Sequence, residues 1–426
     1  MLKQKLLTTI EIVVTAAILT GTSLYASKSL GQSQNNPEKL VDEVWQILDR
    51  NYVDGSFNNQ DWKAVRQQYL SRSYSSQQQA YTAIKEMVAK LGDRYTEFFD
   101  PQEFKELDND LAGKLSGVGL ELAENEKTKA LTVVAPIEGT PAFKAGILPE
   151  DVIVKIDGQL TQGMNINDAV KRIQGSVGTK VTLTIQRGNQ SQNYNLTRAN
   201  IALYPVAYHT QTTVTGKIGY IRLPEFTDTS PTQMRRAIQA LEKQQVQGYV
   251  LDLRSDPGGL LNASLQIASM WLKQGAIVSL VNRDKVKESY NATGHPLTDK
   301  PLVILVDGGS ASASEILAGA LQDDNRATLV GTKTFGKGLV QSVEPLEDGS
   351  ALKLTIAKYY TPKGRDINHI GIAPDITVQL TEAQQKALVQ NRTLGTLADP
   401  QYASAVADLS KLIQVGINHV NSQSGK

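Results

Sequence analysis

Leu302-Val303-Ile304-Leu305-Val306 runs through Asp307-Gly308 into Gly309-Ser310-Ala311-Ser312-Ala313-Ser314-Glu315 and on to Ile316-Leu317-Ala318-Gly319-Ala320-Leu321. The first five residues are a short apolar run bounded by turn residues, the signature of a buried strand. Glu315 to Leu321 read as a good helix. Ser312 falls at the strand-to-helix turn, beside backbone N–H groups that have no partner within the helix. Two readings of it stand together. Ser312 and Glu315 have the spacing of a capping box, serine with glutamate three residues on. Alternatively Ser312 is a nucleophile, which needs a base. Lys337, in Thr334-Phe335-Gly336-Lys337-Gly338, offers one, because a buried neutral lysine can take a serine proton. The Gly-x-Ser-x-Gly elbow of esterases is not formed around Ser310 or Ser312.

Working outward, the same strand–helix cycle recurs. Ile218 to Leu223 reads as a strand, 231–244 as a helix, Tyr249-Val250-Leu251-Asp252-Leu253 as a buried strand and 262–271 as a helix. Strands at 328–331 and 352–357 follow. This alternation predicts an α/β core with a partly parallel sheet over 199–380. A C-terminal helical segment completes it over 381–426, with helices at 382–389 and 400–415. Asp252-Leu253-Arg254-Ser255-Asp256-Pro257-Gly258-Gly259 ends a strand in a Pro-Gly-Gly turn. It is either a plain tight turn or a place where glycine brings a backbone N–H close to an oxyanion. Gly331-Thr332-Lys333-Thr334-Phe335-Gly336-Lys337-Gly338 nearly matches the phosphate-cradling P-loop. However, glycine stands where that loop needs Ser or Thr, and Leu339-Val340-Gln341-Ser342-Val343 alternates like a strand. Without a following helix the phosphate site has no N-terminus to build on.

Upstream, 106–198 is rich in short strands: Gly119-Leu120-Glu121-Leu122, Leu131-Thr132-Val133-Val134, Val152-Ile153-Val154-Lys155-Ile156 and Val181-Thr182-Leu183-Thr184-Ile185. Turns at Glu138-Gly139-Thr140-Pro141 and Asp157-Gly158-Gln159 separate them, and helical pieces fall at 141–145 and 167–173. The region predicts a compact, mostly β module. Residues 34–105 read as a helical lead-in, with helices at 38–51 and 62–91 that end at Gly92-Asp93-Arg94-Tyr95. In 1–33, Lys3 and Lys5 precede a mostly apolar stretch over 6–26, interrupted by Glu11 and followed by a polar linker. This is the pattern of a signal peptide or membrane anchor, and it predicts export. A buried amphipathic helix is the rival reading, against which the polar linker argues.

With 426 residues the chain holds roughly two or three domains of about 150 residues. A formal net charge of +1 gives no basic field for nucleic acid. The absence of cysteine excludes disulfides, thiolate metal sites and a cysteine nucleophile. None of the four histidines sits in a helical metal-binding motif, so no metal is expected. His369 reads as a surface or packing residue.

Taken together, these segments resemble the C-terminal processing peptidases, also called tail-specific proteases, a family of Ser–Lys serine endopeptidases. The resemblance runs over nearly the whole chain after the leader. It rests on 309–316 and 334–341, and on Leu251-Asp252-Leu253-Arg254 with Pro257-Gly258-Gly259. Tyr359-Tyr360-Thr361-Pro362-Lys363-Gly364-Arg365 and Gly371-Ile372-Ala373-Pro374-Asp375 add to it. It implies Ser312 as nucleophile, Lys337 as general base, and Gln341 as a hydrogen-bond partner orienting the lysine. The backbone N–H groups of Gly258 and Ala313 would form the oxyanion hole. Phe335 and Val340 would wall the lysine. Ser255 stands where the family often has asparagine.

The β module at 106–198 is similar to a PDZ domain. Gly117, Val118, Gly119 and Leu120 match its carboxylate-binding loop, and 139–142 and 145–153 match the turn, helix and strand that follow; the rival is a plain β-bulge glycine pair. The family uses this domain to recognise, and in some members to gate, substrate tails. The implied enzyme needs no cofactor. Its partners are proteins with exposed C-terminal tails, with membrane association through the N-terminal segment. Family members trim the photosystem II reaction-centre precursor or act on envelope proteins, which implies a periplasmic or thylakoid-lumen setting. The glutamine-rich composition and leader resemble cyanobacterial members. A PDZ-based adaptor with a silent core is the alternative, and a transpeptidase-like acyl transferase a further one.

Overall fold

The computed structural model of the chain describes residues 36–424, apart from 126–127, 138–139, 149, 203–205 and 391–392, together with the strand Ala17–Leu19. The leader, except for that strand, lies outside the described residues. Ala17–Leu19 pairs in parallel with Val340–Ser342. The chain forms two compact units, Ala112–Leu203 and the remainder, Met1–Leu111 with Tyr204–Lys426. The helical lead-in and the C-terminal helices are therefore parts of the same unit as the α/β core.

One sheet of the larger unit follows the sequence in order: Ala207–Thr213, Gly216–Arg222, Gly248–Asp252, Leu302–Val306, Ala327–Gly331 and Ile376–Thr377. The first pair is antiparallel and every later pairing is parallel. Helices Ser230–Lys243, Leu261–Ala268 and Ala313–Asp323 cover one face, where Leu251, Ile304 and Leu329 meet Ile238, Ile267 and Leu317. Val250, Val303 and Leu305 point to the other face, against Tyr402, Val406 and Leu409 of helix Pro400–Ser424. Burial on both faces is why these strands read as unbroken apolar runs.

The second sheet orders Leu339–Pro345, Ala351–Tyr360, Ala276–Asn282 and Lys287–Asn291, with Glu97–Phe99 added alongside Ala351–Lys353. Helices Pro37–Asn51, Trp62–Leu70 and Gln77–Ala89 pack on it through Val44, Leu48, Ile84 and Met87 against Leu352 and Leu354. The single helix expected over 62–91 is two. Ser71-Arg72-Ser73-Tyr74-Ser75-Ser76 separates them, and the Ser76 hydroxyl caps the second by accepting the Gln79 N–H. Short polar side chains compete for backbone hydrogen bonds and break helices.

The smaller unit is an antiparallel sheet ordered Leu120–Glu124, Leu131–Pro136, Val152–Ile156, Lys180–Arg187 and Gln190–Thr197, with a core of Val133, Ile153, Ile156, Val181 and Leu183. Gln190–Thr197 carries no apolar alternation because nearly all of it is exposed at the sheet edge.

Candidate active site

Three neighbouring parallel strands, Gly248–Asp252, Leu302–Val306 and Ala327–Gly331, each end in a loop on the same side of the sheet. Those loops carry Gly258, Ser312 and Lys337. The sheet order alone brings together residues far apart in sequence. The carboxyl ends of parallel strands are where open α/β sheets place their sites.

Ser312 is fully buried and takes φ 56°, ψ −112°, a conformation that L residues rarely adopt. Glu315, also fully buried, holds it there. Its Oε2 accepts the Ser312 N–H and the Lys337 N–H, both at 2.9 Å. Its Oε1 accepts the Thr334 hydroxyl at 2.6 Å and the Gly336 N–H at 2.7 Å. One carboxylate oxygen thus spans the backbones of Ser312 and Lys337. The capping box is formed in both directions, with the Ser312 side chain accepting the Glu315 N–H, and the Glu315 arm also ties down the lysine loop. Burial raises the Glu315 carboxyl above its ordinary range, against the pull of its four hydrogen bonds. The flanking serines are committed elsewhere. Ser310 donates to Leu253 O at 2.7 Å, and Ser314 to Asp256 O at 2.9 Å.

Lys337 is fully buried, and its Nζ has no hydrogen-bond partner among the described residues. Burial, helped by Lys353 and Arg94, lowers its pKa to about 7. Its apolar surroundings differ from expectation. Val340 is buried, but Phe335 is 39% exposed, and the ring nearest Nζ is that of Tyr95, with its centroid 4.1 Å away. Phe335 stands out because its N–H is drawn to Ser310 O at 3.0 Å and Gly336 turns with φ 90° against Ile370 and Gly371.

Gln341 is also fully buried, but the expected bond to Lys337 is not made. Its Nε2 donates to Thr355 Oγ1 at 3.2 Å and its Oε1 has no partner. A register shift between Val340 and Gln341 sets this direction, since a bulge re-aims the side chain beside it.

Gly258 lies against Ser312. A Cβ there would fall 2.9 Å from Ser312 Cβ and 3.0 Å from the Ala313 nitrogen, and its φ is 107°. Ala313 opens the helix, where backbone N–H groups have no partner within it. The Gly258 N–H, by contrast, is not open to an oxyanion in this structure, because it donates to Asp256 Oδ1 at 2.8 Å. Asp256 is completely buried, and burial raises its carboxyl well above the usual range. The Asp252–Arg254 motif is structural. Arg254 bridges Asp252 and Asp399 at 2.6 and 2.8 Å and fixes the start of helix Pro400–Ser424 to the sheet. Arg365 likewise reaches Asp323 at 2.5 Å, at the end of the Ser312 helix. His369 is exposed, and its N–H donates to Gly336 O.

In the smaller unit, strand Leu120–Glu124 lies at the sheet edge with helix Ile166–Ile173 packed beside it. Gly117, Val118 and Gly119 lead into that strand, and Leu120 is its first residue. The loop is pinned by its carbonyls: Val118 O accepts the Ala142 N–H at 2.9 Å, and Gly119 O the Ile137 N–H at 3.0 Å. Gly119 takes φ 79° and has no room for a side chain beside Thr140.

The profile of peptidase family S41 matches residues 217–378, that of a PDZ domain 132–187 and that of the Tricorn protease C1 domain 34–74. Over 372 residues the chain is 43% identical to a carboxyl-terminal-processing protease of Synechocystis sp., covering 87% of this chain and 86% of that protein. The chain belongs to peptidase family S41. It is a serine-type peptidase of the carboxyl-terminal-processing kind, and the silent-core alternative falls with that. It is also 39% identical to carboxyl-terminal-processing peptidase 3, chloroplastic, of Arabidopsis thaliana, over 80% of this chain and 68% of that one. A solved structure titled photosystem II D1 C-terminal processing protease superposes with a TM-score of 0.57 at 36% identity, covering 86% of this chain and 99% of its own.

Proposed function

We propose that this peptidase cleaves proteins near their C-termini through a Ser312–Lys337 pair. The observation that carries the reading is the Glu315 carboxylate, whose single oxygen joins the backbones of the buried serine and the buried lysine. With a pKa near 7, Lys337 is substantially neutral at neutral pH. Neutral Nζ takes the Ser312 proton as Oγ attacks the scissile carbonyl carbon. The resulting oxyanion is held by the Ala313 N–H and by the Gly258 N–H, which exchanges Asp256 Oδ1 for it. Such a donor is worth about 3–4 kcal/mol of barrier. Collapse breaks the C–N bond, and the lysine ammonium protonates the leaving amine. Water, deprotonated by the regenerated lysine, then hydrolyses the ester on Ser312. Gln341, held by its Nε2 on Thr355, orients the lysine when Nζ swings to its Oε1, an unpartnered acceptor facing a donor that lacks one.

The PDZ domain delivers the substrate tail. An extended peptide adds to the free edge of Leu120–Glu124, its terminal carboxylate caught by backbone N–H groups of Gly117, Val118, Gly119 and Leu120. The basic, apolar N-terminus directs export to a periplasm or thylakoid lumen, with the photosystem II reaction-centre precursor and envelope proteins as candidate substrates. Among the described residues no helix is long and apolar enough to cross a membrane.

The test is cleavage of an unstructured protein with a free apolar C-terminus, with products read by terminal-peptide mass spectrometry. Ser312→Ala and Lys337→Ala are each expected to abolish cleavage while leaving tail binding intact. Cleavage by either variant at the wild-type rate would overturn the assignment.

A further inference from the structure

The turn Gly92-Asp93-Arg94-Tyr95-Thr96 ends the helical lead-in and enters the site. Asp93 organises it. Oδ1 accepts the Tyr95 N–H at 2.9 Å, and Oδ2 accepts the hydroxyls of Thr96 at 2.7 Å and Thr355 at 2.6 Å. Thr355 faces Gln341 across the hairpin and accepts its Nε2 at 3.2 Å, while the Thr355 N–H donates to Thr96 Oγ1 at 3.1 Å. The same turn sets the Tyr95 ring 4.1 Å from Lys337 Nζ. Arg94 fixes that ring, with its guanidinium 4.7 Å from the centroid and Nη2 donating to the Tyr95 hydroxyl at 2.5 Å.

A lysine that takes a proton inside the fold becomes a buried ammonium, which is strongly disfavoured unless something compensates it. Nζ has no hydrogen-bond partner among the described residues. The face of an aromatic ring attracts an ammonium through its quadrupole, more strongly when water is excluded. We propose that Tyr95 is a further catalytic residue of this peptidase, its ring stabilising the ammonium formed when Lys337 takes the Ser312 proton. Asp93 is the positioning residue that sets Tyr95 and Gln341 together. This rests on the Ser312–Lys337 reading.

The charged groups that face Nζ are Lys353 and Arg94, which oppose the ammonium, and Asp93 and Glu315, which favour it. The ring adds to the second pair. Its loss disfavours the ammonium, so the base becomes weaker and its pKa falls. The acid limb of the kcat/KM profile then moves to lower pH while the plateau drops.

The experiment measures that profile with a fluorogenic, unstructured peptide ending in a free apolar carboxyl terminus. Tyr95→Leu, which keeps apolar bulk without a ring, is expected to lower the plateau roughly tenfold and to move the limb by up to about one pH unit to the acid side. Tyr95→Phe is expected to stay within about twofold of the wild-type plateau, with the limb in place. Where circular dichroism shows a folded fraction constant with pH, the limb position does not depend on that fraction, so a destabilised Tyr95→Leu sample still reports, and Tyr95→Met provides a second ring-free variant. Wild-type plateau and limb in the ring-free variants, or Tyr95→Phe falling as far as Tyr95→Leu, would overturn the proposal. Lys337→Ala run alongside separates the two claims. If it still cleaves, the Ser–Lys reading fails; if it is inactive while Tyr95→Leu matches wild type, only the Tyr95 assignment fails.

Discussion

Lys337 and Glu315 are buried ionisable groups of the candidate site, and burial lowers the lysine while raising the carboxyl. The lysine is brought to about 7 by burial and by neighbouring cations. In the proposed mechanism its neutral form is the base, so kcat/KM is expected to rise with pH through about 7 and to be lost as pH falls below it. A pH–rate profile flat between pH 5.5 and 8.5 would rule out a lysine base of that pKa. Glu315 satisfies four donors. Its replacement by alanine orphans buried N–H groups and is expected to cost about 2–4 kcal/mol, measurable by urea unfolding. From the sequence, Glu315 was legible only as a local cap, because its contacts to Thr334, Gly336 and Lys337 depend on a strand that intervenes in the fold. Tyr95 was invisible as a site residue for the same reason. Nothing local in Gly92-Asp93-Arg94-Tyr95 announces a lysine brought in from the adjoining sheet.

At the scale of elements, the strand–helix cycle of the core was readable because those strands are buried on both faces. The polar edge strand Gln190–Thr197 and the division of 62–91 were not, since neither shows an apolar period of its own. The Asp256–Gly258 turn is the element that most changes the sequence picture. Asp256 engages the N–H expected to serve an oxyanion. Its raised carboxyl carries a stability consequence. A group protonated in the fold but ionised in the unfolded chain contributes stability fully below its unfolded pKa, near 3.8, and loses it as pH rises toward the folded value. Asp256→Asn has no such dependence. Its Tm relative to wild type is therefore expected to increase as pH rises above 3.8; a constant difference would mean that Asp256 is ionised in the fold. Gly258→Ala places a methyl group on Ser312 and at a φ of 107°. It is expected to reduce kcat at least about a hundredfold with the fold retained by circular dichroism.

For the whole molecule, two separate cores imply two separable stabilities. The unit Ala112–Leu203 has its own apolar centre, from Val133 to Leu183, and its own edge strand, Leu120–Glu124. Expressed alone it is expected to unfold cooperatively and to bind peptides with a free C-terminus in preference to amidated ones. Equal binding of both would remove the tail-recognition role. The larger unit combines the helical lead-in, the α/β core and the C-terminal helix, and each contributes to the site. The lead-in supplies Tyr95, the core supplies Ser312 and Lys337, and Asp399 holds Arg254 beneath the Asp256 turn. In the proposed mechanism Ser312, activated by Lys337, forms an ester with the substrate. Acid quench of a single turnover followed by peptide mapping tests it most directly. An acyl adduct is expected on the peptide containing Ser312 in the wild type and none in Lys337→Ala, whereas turnover without an adduct there, or an adduct formed equally fast in Lys337→Ala, would rule the ester out as an intermediate made by this pair.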